Sequence, residues 1–271
     1  MRLHSPYQTP YRRGQSSRLD APFFNDPVRA VYGAFPDYEF EYDANYGVHS
    51  DLTFGAPALD TGQVLSWRDV NGNKHPLTLA TSFGPRFDLG AGPLGYNCVT
   101  GGTVNHTSVQ AASGTAVGGS NAGTIYFVIR QNSWSNGAQI LTGNTPSSQG
   151  KGTQQGLSST PQMVISSATT DASLSNGELA LGVWGVFTVI WANADSITRA
   201  NMNPAHTGST TSASDDAMNG WVMFNSRNGL APSDVSIARV IGFRASLASP
   251  SHTQVQQNQI ISALMAQYGI S

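Results

Sequence analysis

The chain has 271 residues, of which 11% are charged, and a net charge of −2. Its 29 glycines and 14 prolines break it into short runs, and no stretch of eighteen apolar residues occurs, which excludes a membrane-spanning helix. The single cysteine, Cys98, excludes an internal disulfide and reads as a small buried apolar residue of a protein made in a reducing cytosol.

Charge is unevenly placed. Residues 1–35 carry five arginines against two aspartates, a net +3, which leaves −5 on the remainder. This leading segment shows no hydrophobic period, and Pro6, Pro10, Pro22 and Pro27 argue against a helix. Two readings compete for it: a free basic tail, or an arm ordered on a neighbouring subunit. The arm reading assigns residues 1–36 as an extended basic segment, with Arg2, Tyr7, Tyr11, Arg12, Arg13, Arg18, Phe23 and Phe24 as its anchors. Nucleic acid is not the expected partner, because no lysine-rich run supports it. The opening residues also lack the apolar stretch of a secretion signal.

The folded body is expected from Asp37 to the C-terminus. Tyr38, Phe40 and Tyr42 alternate with Glu39, Glu41 and Asp43, which predicts a strand with its acids facing water. Gln63–Asp69 and Pro76–Leu79 flank an Asn71-Gly72 hairpin turn. Residues 84–124 are rich in Gly and Ser. Strands follow at 124–130, 139–143, 163–165, 184–192 and 197–202, with polar loops at 144–161 and 203–219. Trp221–Phe224 precedes Arg227-Asn228-Gly229. The chain then runs into Asp234–Phe243, where Val235, Ile237, Ile241 and Phe243 share one parity that Arg239 interrupts. A closing helix is read from Ser249 as N-cap and Pro250 at the first position, through Ile260, Ile261, Leu264, Met265 and Tyr268 to Gly269.

Three of these pieces carry a resemblance. They are Tyr42-Asp43-Ala44, then Ser66-Trp67-Arg68-Asp69 before the Asn71-Gly72 turn, and finally Ile237–Phe243 with the helix ending Gln267-Tyr268-Gly269-Ile270. Their order is similar to that of laminin-G-like domains of the concanavalin A-like superfamily, as found in bacterial and phage proteins. Asn71 stands where that pattern usually has Ser, and Lys74 where Gly often follows. The resemblance covers residues 37–271 and implies an all-β, two-sheet jelly-roll sandwich with one C-terminal α-helix. It says little about function, because the fold hosts lectins, glycosidases and structural modules.

No catalytic constellation and no cofactor is read from the sequence. Glu39-x-Glu41-x-Asp43 is a possible glycosidase row, set against a solvated strand face. Asp69–Asn73 is a possible calcium loop, set against a plain hairpin, and the six histidines lack metal spacing. The expected function is therefore a non-enzymatic virion subunit, a capsid decoration or tail-associated protein made in the host cytoplasm. Its arm would hold capsid or tail subunits, and it would be present in multiple copies. The alternative is a lectin-like module for surface glycans, with Trp134, Asp215 and Asp216 as candidate binding residues; a glycoside hydrolase stands behind both.

Overall fold

The computed structural model describes residues 26–33, 35, 37–71, 74–80, 82–104, 107–111, 116–117, 122–143, 152–156, 161–166, 172–176, 178–192, 196–208, 218–244 and 252–271. Two antiparallel sheets stack as a sandwich. The first has eight strands, running His206–Gly208, Ser196–Ala200, Trp184–Ala192, Ala122–Gln131, Val235–Arg244, Cys98–Thr100 and Arg86–Asp88. Its eighth strand, Tyr38–Asp43, pairs with Val235–Arg244 through residues 239–243, while Cys98–Thr100 pairs with it at Ser236 and Ile237. The first and last strands of the body are thus adjacent.

The second sheet has nine strands, in the order Ala172–Asn176, Gln162–Ser166, Gly152–Gln155, Gln139–Gly143, Trp221–Met223, Val109–Gln110, Leu77–Leu79, Ser66–Trp67 and Val48–His49. Between the sheets lies the main core, built on Phe40, Tyr42, Trp67, Ile125, Phe127, Ile129, Phe187, Trp221 and Val240. The outer face of the eight-stranded sheet carries a second core. There Tyr126, Val128, Val186, Ile241 and Phe243 pack under two helices, α1 (Pro27–Tyr32) and α2 (Gln254–Tyr268). A helix of α2's length needs such an apolar stripe on a sheet, because helix propensity alone does not hold it.

Helix α1 corrects the end of the extended reading of residues 1–36: residues 27–32 are helical, while residues 1–25 lie outside the described residues. Pro27 occupies the first turn, where its missing N–H removes nothing, and Asp26 caps the end by accepting from the N–H groups of Val28 and Arg29. Val28 and Tyr32 are buried in the second core, each contributing roughly 1.5–3 kcal/mol of apolar burial. Helix α2 also starts later than Ser249: its N-cap is Thr253, in a reciprocal capping box with Gln256.

The parity of the last strand is corrected too. A β-bulge between Ile237 and Arg239 switches the faces, so Val235 and Ile237 point between the sheets while Ile241 and Phe243 point at the helices. Arg239 lands on the helix side as well. The acids opposite it do not face water: Glu41 is 1% exposed and Asp43 8%.

Candidate functional site

The covered half of the outer sheet face ends in a buried ion network. Arg239, fully buried, donates through Nη2 to Asp26 Oδ2 at 2.8 Å and to Glu41 Oε1, and through Nη1 to Gln267 Oε1 at 3.0 Å. Arg29 Nε donates to Glu41 Oε2 at 3.0 Å, and the hydroxyls of Tyr32 and Tyr38 donate to the same oxygen. Burial first, and then the Glu41 charge, push the Tyr32 hydroxyl well above its ordinary value. Asp26, Glu41 and Asp43 bring ligand atoms within 4.8 Å of one another, but Arg239 supplies their counter-charge.

Glu39, the remaining acid of that row, receives Lys74 Nζ at 2.9 Å and lies 2.7 Å from His75 Nε2. Asp69 is also committed, accepting from the backbone N–H groups of Glu41, Asn71 and His75. A hairpin built on Asp69 accounts for those bonds, and Glu39 and Glu41 are tied up as a structural clasp by Lys74, His75, Arg29 and Arg239.

The open half of the same face is different. Register sets Arg86 opposite Thr100, Thr100 opposite Ser236, Ser236 opposite Arg130, and Arg130 opposite Trp184. Five strands thus line up one polar row with an aromatic end, spanning about 19 Å at the usual interstrand spacing. Asp88 takes Arg86 Nε at 2.6 Å and the Thr100 hydroxyl at 2.5 Å, and Thr100 in turn meets Ser236 at 2.9 Å. Asn132 donates to Ser236 Oγ at 3.0 Å and to Asp234 Oδ1 at 3.1 Å, while Arg130 Nε donates back to Asn132. The Arg130 guanidinium lies 5.0 Å from the centre of the half-buried Trp184 ring.

At Asp234 this row turns the corner into the loops at one end of the sandwich. Backbone bonds from Asn132 and Ser133 to Asp234, and from Gln139 to Ala231, clamp loop 132–138 against loop 224–234. Gly182 N donates to Gln131 O and brings the 178–183 turn to the same end. Beneath the loops two amides lock together: Gln155 Nε2 donates to Gln131 Oε1 at 3.0 Å, Gln131 Nε2 to Leu179 O at 2.8 Å, and Ser135 N to Gln155 Oε1 at 3.0 Å.

Beside Gln139, at the start of strand Gln139–Gly143, the 226–231 turn carries a groove of about 290 Å³ lined by Gln139, Ser226, Arg227, Asn228, Leu230 and Ala231. Its far wall is a rigid turn. Asn225, fully buried, accepts from Ser226 N and Ala231 N; Asn228 Oδ1 accepts from Leu230 N; Gly229, at φ 76°, closes back on Ser226 O. The lining mixes amide, hydroxyl and guanidinium groups with the exposed side chain of Leu230.

Of the residues singled out in sequence, Trp134 belongs to this end. It sits half-buried on loop 132–138, its indole N–H enclosed and without a partner among the described residues. Asp215 and Asp216 lie outside the described residues, as do Arg2, Tyr7, Tyr11, Arg12, Arg13, Arg18, Phe23 and Phe24. Sequence reasoning passed over Gln139, Asn132 and Asp234, and it noted Arg227-Asn228-Gly229 without assigning it a role. The Asn-Gly pair was the one local signal that a fixed loop stood there. Among the described residues no helix is long and apolar enough to cross a membrane.

No family model matches the chain, and no curated protein matches it. Solved structures do. An arabinofuranosidase complexed with arabinofuranosyl-alpha-1,2-xylobiose superposes with a TM-score of 0.58 at 10% identity, over 77% of this chain and 52% of that one. Domain 4 of AbnA, an extracellular arabinanase from Geobacillus stearothermophilus in complex with arabinotriose, gives 0.51 at 13% identity, over 83% and 99%. A Trypanosoma rangeli sialidase in complex with sialic acid gives 0.50 at 12% identity, over 83% and 36%. The chain spans about half the length of the arabinofuranosidases it matches. At these identities the likeness is one of fold, a β-sandwich. It nonetheless corrects the expectation of a non-enzymatic chain: glycoside hydrolases carry this sandwich, so the lack of a familiar motif is no ground for setting hydrolysis aside.

Proposed function

We propose that the sandwich binds carbohydrate in the groove between Gln139 and the 226–231 turn, and this reading takes the place of a virion scaffold. A sugar ring presents a weakly apolar face and a rim of hydroxyls. It is held by fixed donors and acceptors beside an apolar contact, which is the mixture Gln139 Oε1, Asn228 Nδ2 and Leu230 supply. The observation that carries the reading is the pre-ordering of that wall, where Asn225 and Asn228 fix the turn before any ligand arrives. The arabinofuranosidase, arabinanase and sialidase likeness supports the same class of ligand.

Calorimetric titration and a glycan array with arabino- and xylo-oligosaccharides test it. Binding is expected for the native chain and about tenfold weaker for Asn228→Ala, which removes a hydrogen-bonding amide from the groove. A native chain that binds no glycan in either format ends the reading. The arabinofuranosidase likeness favours hydrolysis as a second reading, and release of reducing ends in the same incubations would support it.

A further inference from the structure

We propose that the groove prefers an acidic sugar, a uronic or sialic acid residue of a glycan, whose carboxylate is taken by Arg227; this deepens the carbohydrate reading and rests on it. Arg227 is exposed on the groove wall, and its guanidinium has no partner among the described residues. Five other arginines of the body are committed, while Arg244, exposed at the end of the last strand, is like Arg227 without a side-chain partner among the described residues. Arg68 reaches Phe54 O at 3.0 Å, Arg86 grips Asp88, Arg130 lies on Trp184 and Asn132, Arg199 holds Asn203 O and Asn258, and Arg239 is enclosed by acids.

No acid lines the groove. Asp234, the carboxylate of the same loop, accepts from Asn132 Nδ2 at 3.1 Å and the Ser133 hydroxyl at 2.8 Å, and it makes no ion pair with Arg227. A local cation without a counter-ion, on a chain of net charge −2, favours an anion at that spot. The planar fork of a guanidinium matches a carboxylate with two parallel bonds, which a neutral sugar cannot offer. The Asn228 amide N–H₂ is a second donor without a recorded bond, whereas its Oδ1 is fully used within the turn. Gln139 Oε1, which has no partner among the described residues, remains for a hydroxyl, and Leu230 for the ring face. A ligand that satisfies all of these carries one carboxylate and several hydroxyls together.

The experiment titrates the full chain with two matched pairs: trigalacturonic acid against galactotriose, and sialyllactose against lactose. Each is run at low and high salt. The carboxylated member of at least one pair is expected to bind about tenfold more tightly, with the advantage shrinking at high salt. Arg227→Gln should erase the gap between charged and neutral partners, and Arg227→Lys should keep part of it. Melting temperature confirms that each variant is folded, as a surface turn substitution predicts. Equal binding of charged and neutral partners, or an unchanged gap in Arg227→Gln, overturns the proposal while the carbohydrate reading stands. No binding of any sugar overturns both.

Discussion

Asp26 Oδ2 and Arg239 Nη2 lie 2.8 Å apart, joining the cap of α1 to the bulged turning point of the last strand. The same guanidinium also serves Glu41 and Gln267, so one side chain ties α1, the first strand and α2 together. A buried charge that loses its partner is left uncompensated in a low-dielectric space. Arg239→Met should therefore destabilise the protein by about 3–5 kcal/mol, and adding Glu41→Gln should restore part of that. Asp26→Asn keeps the capping geometry and loses only the charge, so its loss should be smaller. Urea unfolding of the three variants decides the matter. An Arg239→Met protein as stable as the native chain would mean that apolar packing alone holds α1 in place.

Acid should loosen a different clasp. Burial opposes ionisation of Glu39, but hydrogen bonds from Lys74 and His75, with their charges, hold its carboxyl below the ordinary glutamate value. A depressed acid stabilises the fold above its unfolded pKa and loses that contribution as pH falls through its folded pKa. Asp43 and Asp69 act in the opposite sense, since burial raises both and their ionised forms weigh against folding at neutral pH. Glu39→Gln should thus be less stable than the native chain near neutrality, and the gap should close as pH drops below the usual glutamate range. Thermal unfolding from pH 7 to pH 3 reads this directly. A gap constant over that range would remove Glu39 from the account.

Much of the architecture was legible, because strands such as Trp184–Ala192 and Ala122–Gln131 are written as near-continuous apolar runs. The sandwich and its closing helix followed from those runs and from the motifs at Asp43-Ala44 and Ser66–Asp69. What stayed hidden depends on contacts far apart in sequence. Arg239 looked like an interruption of one parity, but a bulge turns it to the helices, where Glu41 and Asp26 wait. Glu41 and Asp43 read as solvated because their alternation is that of any half-exposed strand; only α1 and α2 above them show otherwise. Helix α1 itself is six residues long, too short to show a period, and Pro27 disguised its start. The groove was less legible still, since Gln139 is brought to the 226–231 turn only by its backbone bond to Ala231, far away in sequence.

Phe40 and Gly242 face each other across the first and last strands, and the Phe40 ring lies where a side chain on Gly242 would be. A Cβ added there would come 2.0 Å from Phe40 Cε1. The ring cannot easily yield, because it stacks on Trp221 with centroids 4.5 Å apart. Covering a bare strand glycine with an aromatic ring is a known way to fill the missing volume. Gly242→Ala should therefore cost about 1–3 kcal/mol through overpacking. Combining it with Phe40→Leu should cost less than the sum of the two single changes, since each relieves the other. Strict additivity in denaturant melts would show that the ring moves aside freely.

Cys98 offers a probe of the same sheet from its outer face. It is fully buried, 3.9 Å from the Thr100 hydroxyl, and burial pushes its thiol up to about 11 despite the nearby hydroxyls. At pH 8 roughly a thousandth of a thiol with that pKa is thiolate, against a quarter or so for an ordinary cysteine. A thiol reagent should accordingly react with the native chain orders of magnitude more slowly than with the chain in denaturant, with a rate that climbs steadily up to high pH. Loosening the polar row should raise that rate without unfolding the protein. Ser236→Ala removes the hydroxyl that links Thr100 to Asn132. Its labelling should be faster at unchanged pH, whereas Gln139→Ala, away from the row, should leave labelling as it was. Fast native labelling at pH 8 would show that the edge formed by Arg86–Asp88 and Cys98–Thr100 opens readily, and the row would then be no fixed platform.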